Sequence, residues 1–154
     1  MFFIAAAGIL GGSVFLLVGS GAFVSAQVDR NLASQLVAQG QLIAHRVAKC
    51  AADYPQGDNG TGSFRAYPAG EGVLVSALEC PGNHQNLWSG VDGVYLPAKP
   101  PDFSDWRYSK SGPVRIEITS QRPAAHVGVL QNVAGRLGGA ASVNAGTLTI
   151  KIIE

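Results

Sequence analysis

The chain opens on a run without charge. Residues 1–28 carry no ionisable side chain apart from the terminus itself, and Asp29 is the first charged residue. Met1 to Ala26 reads MFFIAAAGILGGSVFLLVGSGAFVSA, longer than the roughly 20 apolar residues that span a bilayer as a helix. Three readings compete. A cleaved secretory signal fits Val24-Ser25-Ala26 as a small-residue cleavage site. It lacks the basic n-region, since Phe2 and Phe3 follow Met1 directly, and its apolar stretch is long for a signal core. A plain single-pass anchor also lacks a basic cytoplasmic flank to orient it. The third reading accounts for both absences: a basic leader has been removed and Met1 is the first mature residue.

The pattern then changes period. No proline occurs before Pro55, and Gln27 to Asp53 is rich in Ala, Leu, Gln and Val, residues that favour or tolerate helix. Apolar or small residues recur at Leu32, Leu36, Gly40, Ile43, Val47 and Cys50, in steps of 4, 4, 3, 4 and 3, which is one helical stripe. Arg30, Gln35, Gln41 and Lys49 fall on the other side. Leu36, Ile43 and Val47 are therefore expected to pack the helix onto the rest of the chain. A continuous helix to Asp53 is roughly 80 Å long at about 1.5 Å per residue, too long for a compact domain of this size, so part of it must protrude. The expected division is a hydrophobic membrane or filament-core helix over 1–28, its amphipathic continuation over 29–53, and a globular head over 54–154.

Glycine marks the protruding half. Gly8, Gly11, Gly12, Gly19 and Gly21 are five glycines within 14 residues. Gly8 and Gly12 form a GxxxG spacing that lets helices approach closely in apolar surroundings. Glycine costs about 1 kcal/mol against alanine in a helix, so any stretching or break is expected between Gly11 and Gly21.

Beyond Pro55 the pattern predicts a head of short strands. Tyr54 to Gly62 is turn-rich. Gly72 to Leu78 reads as a strand delivering Cys80, and Val91 to Leu96 as another, followed by a proline-rich connector over Pro97–Pro101. Trp106 to Ser109 and Val114 to Ser120 flank a hairpin-like turn at residues 110–113. Val114, Ile116 and Ile118 alternate with Arg115, Glu117 and Thr119, the period of a strand with one wet face. Pro123 can begin a helix; Val127, Leu130, Val133, Ala134 and Leu137 follow at helical spacing, and Gly138-Gly139 ends it. Ala141–Val143 and Thr147–Ile153 close the chain as a hairpin. The expected class is α+β: a long protruding helix packed on a small, mainly antiparallel sheet with one short additional helix.

Composition narrows the chemistry. Net charge is +1 and 14% of residues are charged, with no basic patch to suggest nucleic acid and no acidic tail. Cys50 and Cys80 form no CxxC and no zinc or haem signature. One disulfide is the simplest reading and places the head outside the cytosol; two free buried thiols are the alternative. His45, His84 and His126 are too far apart in sequence to suggest a metal pair. Asp58 and Asn59 lack the remaining ligands of a calcium loop, and Asn59-Gly60-Thr61 matches a glycosylation sequon. Asp92, Asp102 and Asp105 lie near Trp88, Tyr95 and Trp106, a set suited to sugars or cations and more often a core with a polar rim. No nucleophile elbow or phosphate loop occurs. Neither an enzyme nor a cofactor is expected.

A hydrophobic N-terminal helix, an amphipathic continuation to residue 53, a Tyr54-Pro55 turn and a sheet-rich head with two cysteines together resemble the type IV pilins. The type IVb pilins and the pseudopilins of type II secretion are the most similar groups. The likeness in residues covers about the first 55 positions; the head is similar in architecture alone. It implies an N-methylated Met1 and a subunit that sits in the bacterial inner membrane before assembly. A prepilin peptidase, a membrane platform and a motor ATPase would then build it into an extracellular helical homopolymer. Adhesion, motility, DNA uptake, secretion and conjugation all use such subunits. One position departs from the pattern: Ala5 stands where the family usually has a glutamate that pairs with a neighbouring amino terminus. The rival expectation is a single-pass, membrane-anchored extracytoplasmic binding module, with ligand contacts between Trp88 and Tyr108.

Overall fold

The computed structural model describes residues 8–53, 67–81 and 83–152, with side-chain surroundings given from Val24 onward. It is α+β, with one long and one short helix against a five-stranded antiparallel sheet. Helix α1 spans Gly8–Asp53, 46 residues, or about 69 Å. The helix is continuous through Gly11, Gly12, Gly19 and Gly21, where any break was expected to fall. Glycine weakens a helix without removing a hydrogen-bond donor, and this stretch has no proline to take one away.

The strands are β1 (Val73–Leu74), β2 (Arg107–Ser109), β3 (Arg115–Thr119), β4 (Ala141–Asn144) and β5 (Thr147–Lys151), in spatial order β1-β2-β3-β5-β4. Register aligns Tyr108, Ile116, Ile150 and Ala141 in one row, and Ile118, Leu148 and Val143 in the next. These rows form the apolar face of the sheet. The alternate row of Arg107, Glu117, Thr149 and Ser142 is exposed or half-buried, as expected when one face is wet. Helix α2 (Pro123–Leu137) lies between β3 and β4 in sequence and packs against α1, β4 and β5. The β4–β5 turn holds Ala145 and Gly146 at φ 46° and 78°. Two positive φ values in a row suit the two-residue turn whose twist matches the strands.

The amphipathic half of α1 forms one side of the core. Leu36, Ile43 and Val47 have no exposed surface. Gly40 lets the helix come close to the sheet: a Cβ there would stand 2.5 Å from Ile150 Cδ1. Beside it, buried Gln39 accepts a hydrogen bond from Trp106 Nε1 at 3.0 Å and donates one to the Ala98 carbonyl at 2.7 Å. This satisfies a polar side chain that would otherwise be costly in the core.

Three local expectations need correction. The strand at Gly72–Leu78 pairs only through Val73–Leu74, then turns into a 3-10 helix over Val75–Ala77. Val91–Leu96 forms no strand. In α2, Val127 is 50% exposed, whereas Val129, Leu130 and Val133 are buried. The buried stripe passes through Val129 and Val133, one helical turn apart, and leaves Val127 outside it.

Candidate functional site

Two features of α1 stand out, one beyond the head and one at its C-terminal end. From Val24 to Asn31 every side chain is exposed. Val24 is 63% and Val28 57% accessible, and both extend the stripe of Leu32 and Leu36 by further steps of four. Burial begins at half-buried Leu32 and is nearly complete at Ala33. Upstream, Gly8, Gly11, Gly12, Gly19 and Gly21 lie within the helix, with Gly8 and Gly12 one turn apart. Among the described residues, no helix is long and apolar enough to cross a membrane. Met1 and the side chains before Val24, which carry most of the apolar run, lie outside that description.

At the other end, α1 is clamped to the loop that follows Cys80. Cys50 and Cys80 form a disulfide with Cα atoms 5.8 Å apart. One turn earlier, Arg46 reaches across the loop. Its guanidinium makes a two-pronged ion pair with Asp92 and donates to the Leu87 carbonyl at 2.8 Å and the Val94 carbonyl at 3.5 Å. It also lies 5.7 Å from the Trp88 ring centroid, within cation–π range. The Arg46 side chain is only 14% exposed, so these bonds carry much of what water would otherwise supply. Its Nε is buried without a hydrogen-bond partner among the described residues. The Arg46 hydrogen bonds, helped by the Val94 N–H, hold the Asp92 carboxyl below its usual pKa against a smaller opposing effect of desolvation. Trp88 is fixed from its far side by donating Nε1–H to the Val75 carbonyl at 2.7 Å.

The clamp leaves an open cleft of about 210 Å³ beside the disulfide. Arg46, Lys49, Cys50 and Asp53 line it from α1; Cys80, Asn83, Gln85, Asn86, Leu87, Ser89, Val91 and Asp92 line it from the loop. Lys49 and Asp53 pair at 2.6 Å across one helical turn.

The aromatic and acidic residues singled out in the sequence do not form one site. Trp88 and Trp106 are core residues, while Tyr95 is 67% exposed. Asp92 joins Arg46, and Asp102 pairs with Arg122 at 3.2 Å. His45 is exposed. His126 stacks on Phe103, ring centroids 4.9 Å apart, and its Nδ1 lies 2.8 Å from the Ser120 hydroxyl. Among the described residues, no group of three or more His, Cys, Asp or Glu side chains is placed to hold a metal ion. Asp58, Asn59 and the sequon lie outside the described residues.

Sequence reading missed Gln39 and Arg46. A signal existed for Gln39, which falls three residues after Leu36 and four before Ile43, a polar group on an apolar stripe. Arg46 gave none, because its partners are 41 to 48 residues away. No protein-family model matches the chain, and comparison with curated proteins and with solved structures finds no match.

Proposed function

We propose that the protein is a structural subunit of a type IV pilus-like extracellular filament, polymerising through its N-terminal helix. The observation that carries this reading is the uncovered stretch of α1. Val24 and Val28 continue the stripe that packs the head, yet no part of the described head covers them. Exposed apolar surface on a stiff rod is stabilised by a partner, and identical rods supply one by packing side by side. Gly8 and Gly12 would allow close approach between copies. In this reading the chain resides in the bacterial inner membrane before assembly, and an assembly machinery of the pilus type inserts it. The reading assigns no catalysis and no cofactor.

A membrane-anchored binding module is the second reading, favoured by the cleft beside Cys50–Cys80. Electron microscopy of the purified full chain separates the two. Filaments are expected from the wild type, and Gly12→Leu is expected to impair them while the head keeps its melting temperature. Wild-type protein that stays dispersed under every assembly condition, or normal filaments from the Gly12→Leu chain, contradicts the role given to this helix.

A further inference from the structure

We propose that the cleft between the last turns of α1 and the loop over residues 83–92 is a binding site for a neutral, hydroxyl-rich ligand, a hexose unit of a glycan. This inference does not depend on the filament reading. The volume, about 210 Å³, suits one sugar ring.

The lining selects against other chemistries. Its two cations are each matched by a carboxylate, Arg46 by Asp92 and Lys49 by Asp53. A phosphate or sulfate approaching either cation would meet the carboxylate that stands beside it, Asp92 at Arg46 and Asp53 at Lys49. A bare metal ion approaching either carboxylate would meet the positive charge of Arg46 or Lys49 beside it. No aromatic ring lines the cleft, so a flat aromatic ligand finds nothing to stack on.

What the lining offers is a mixed set of donors and acceptors around a small apolar patch. The Gln85 carboxamide accepts from Asn83 at 3.3 Å, and among the described residues its N–H groups have no partner. Ser89 adds a hydroxyl, and Asp53 and Asp92 keep lone pairs facing water, being about half exposed. Sugar hydroxyls both donate and accept, so a ring can bond to groups of either kind. The Cys50–Cys80 disulfide, Leu87 and Val91 supply apolar surface for the C–H face of the ring. The disulfide and the Arg46 clamp hold both walls in place before a ligand arrives, which reduces the ordering cost of binding.

The test is an NMR titration of the isotope-labelled full chain in sugar-free detergent micelles, with glucose, galactose and N-acetylglucosamine added separately. For a single ring in an open cleft, Kd on the order of 1 mM is expected. Saturable amide shifts should centre on residues 49–53 and 83–92. The double variant Gln85→Ala/Ser89→Ala alters two exposed side chains and should keep the wild-type melting temperature. It should bind roughly tenfold more weakly. The proposal is overturned if none of the three sugars gives saturable shifts at these residues, if the double variant binds as tightly as the wild type, or if inorganic phosphate binds there more tightly than any of the sugars.

Discussion

Helix α1 carries one apolar stripe through two environments. Between Leu32 and Ala51 the stripe is covered by the sheet and α2, and Leu36, Ile43 and Val47 lose all contact with water. Between Val24 and Asn31 the same backbone, with valines at the same spacing, is bare. The helix does not change at the boundary; the head ends. Burial on this rod is therefore decided by what stands beside it, and the uncovered part shows Val24 and Val28 among polar side chains.

Substitutions at matched positions should break this symmetry. Ile43→Ala is expected to destabilise the head by up to about 5 kcal/mol, since it opens a cavity in packed surroundings. Val28→Ala should leave head stability within about 0.5 kcal/mol, as for an exposed site. Urea unfolding followed by the fluorescence of Trp88 and Trp106, both in the core, measures the two side by side. Equal effects would mean that the head reaches further along the helix than the structure places it.

Next in size is the disulfide. It closes a loop of 30 residues and ties the covered end of α1 to the loop. Replacing both cysteines with serine should lower head stability by about 3 to 4 kcal/mol by the chain-entropy argument. An unchanged urea midpoint would show that the loop is held without it.

Gly40→Ala should cost less, about 1 to 3 kcal/mol. The new methyl would press on the end of the Ile150 side chain, which has some freedom to turn. A matched Val24→Ala, in the uncovered stretch, should leave the head unaffected. Thermal unfolding of the two variants compares them directly. A destabilised Val24→Ala head would argue against the boundary at Leu32.

The smallest effect expected is a pH dependence at the clamp. Asp92 has its pKa lowered by Arg46 in the folded chain. Its contribution is therefore present above the unfolded value near pH 4, and it fades as pH falls through the lower folded value. Because the Asp92 carboxylate is half exposed, salt should weaken the effect. Asp92→Asn should flatten the acid side of the stability profile below about pH 4. A profile identical to the wild type would remove Asp92 from the clamp.

What the sequence made legible was set by local pattern. The steps of 4 and 3 from Leu32 to Cys50 and the proline at position 55 were enough to describe α1 and its buried side. Alternation at Val114–Thr119 and the turn around Ala145-Gly146 were enough for the last strands. The Val91–Leu96 segment misled because its apolar residues resemble a strand. Gly90 and Gly93 instead take positive φ of 74° and 75°. The Val94 N–H goes to Asp92 and its carbonyl lies within reach of Arg46, rather than to a neighbouring strand. Gly72–Leu78 failed similarly, since the Val75 carbonyl receives the Trp88 indole N–H. In both cases the deciding partner is far away in sequence. The cleft was illegible for the same reason, being made only when residues 46–53 meet residues 80–92.

The claim at the centre of this account is that the bare stripe is covered by other copies of the chain. Electron microscopy of the full chain carrying Val28→Asp, beside the wild type under the same assembly conditions, tests it most directly. The account predicts filaments from the wild type, none from Val28→Asp, and the same head melting temperature for both. Filaments of normal diameter from the Val28→Asp chain would contradict it.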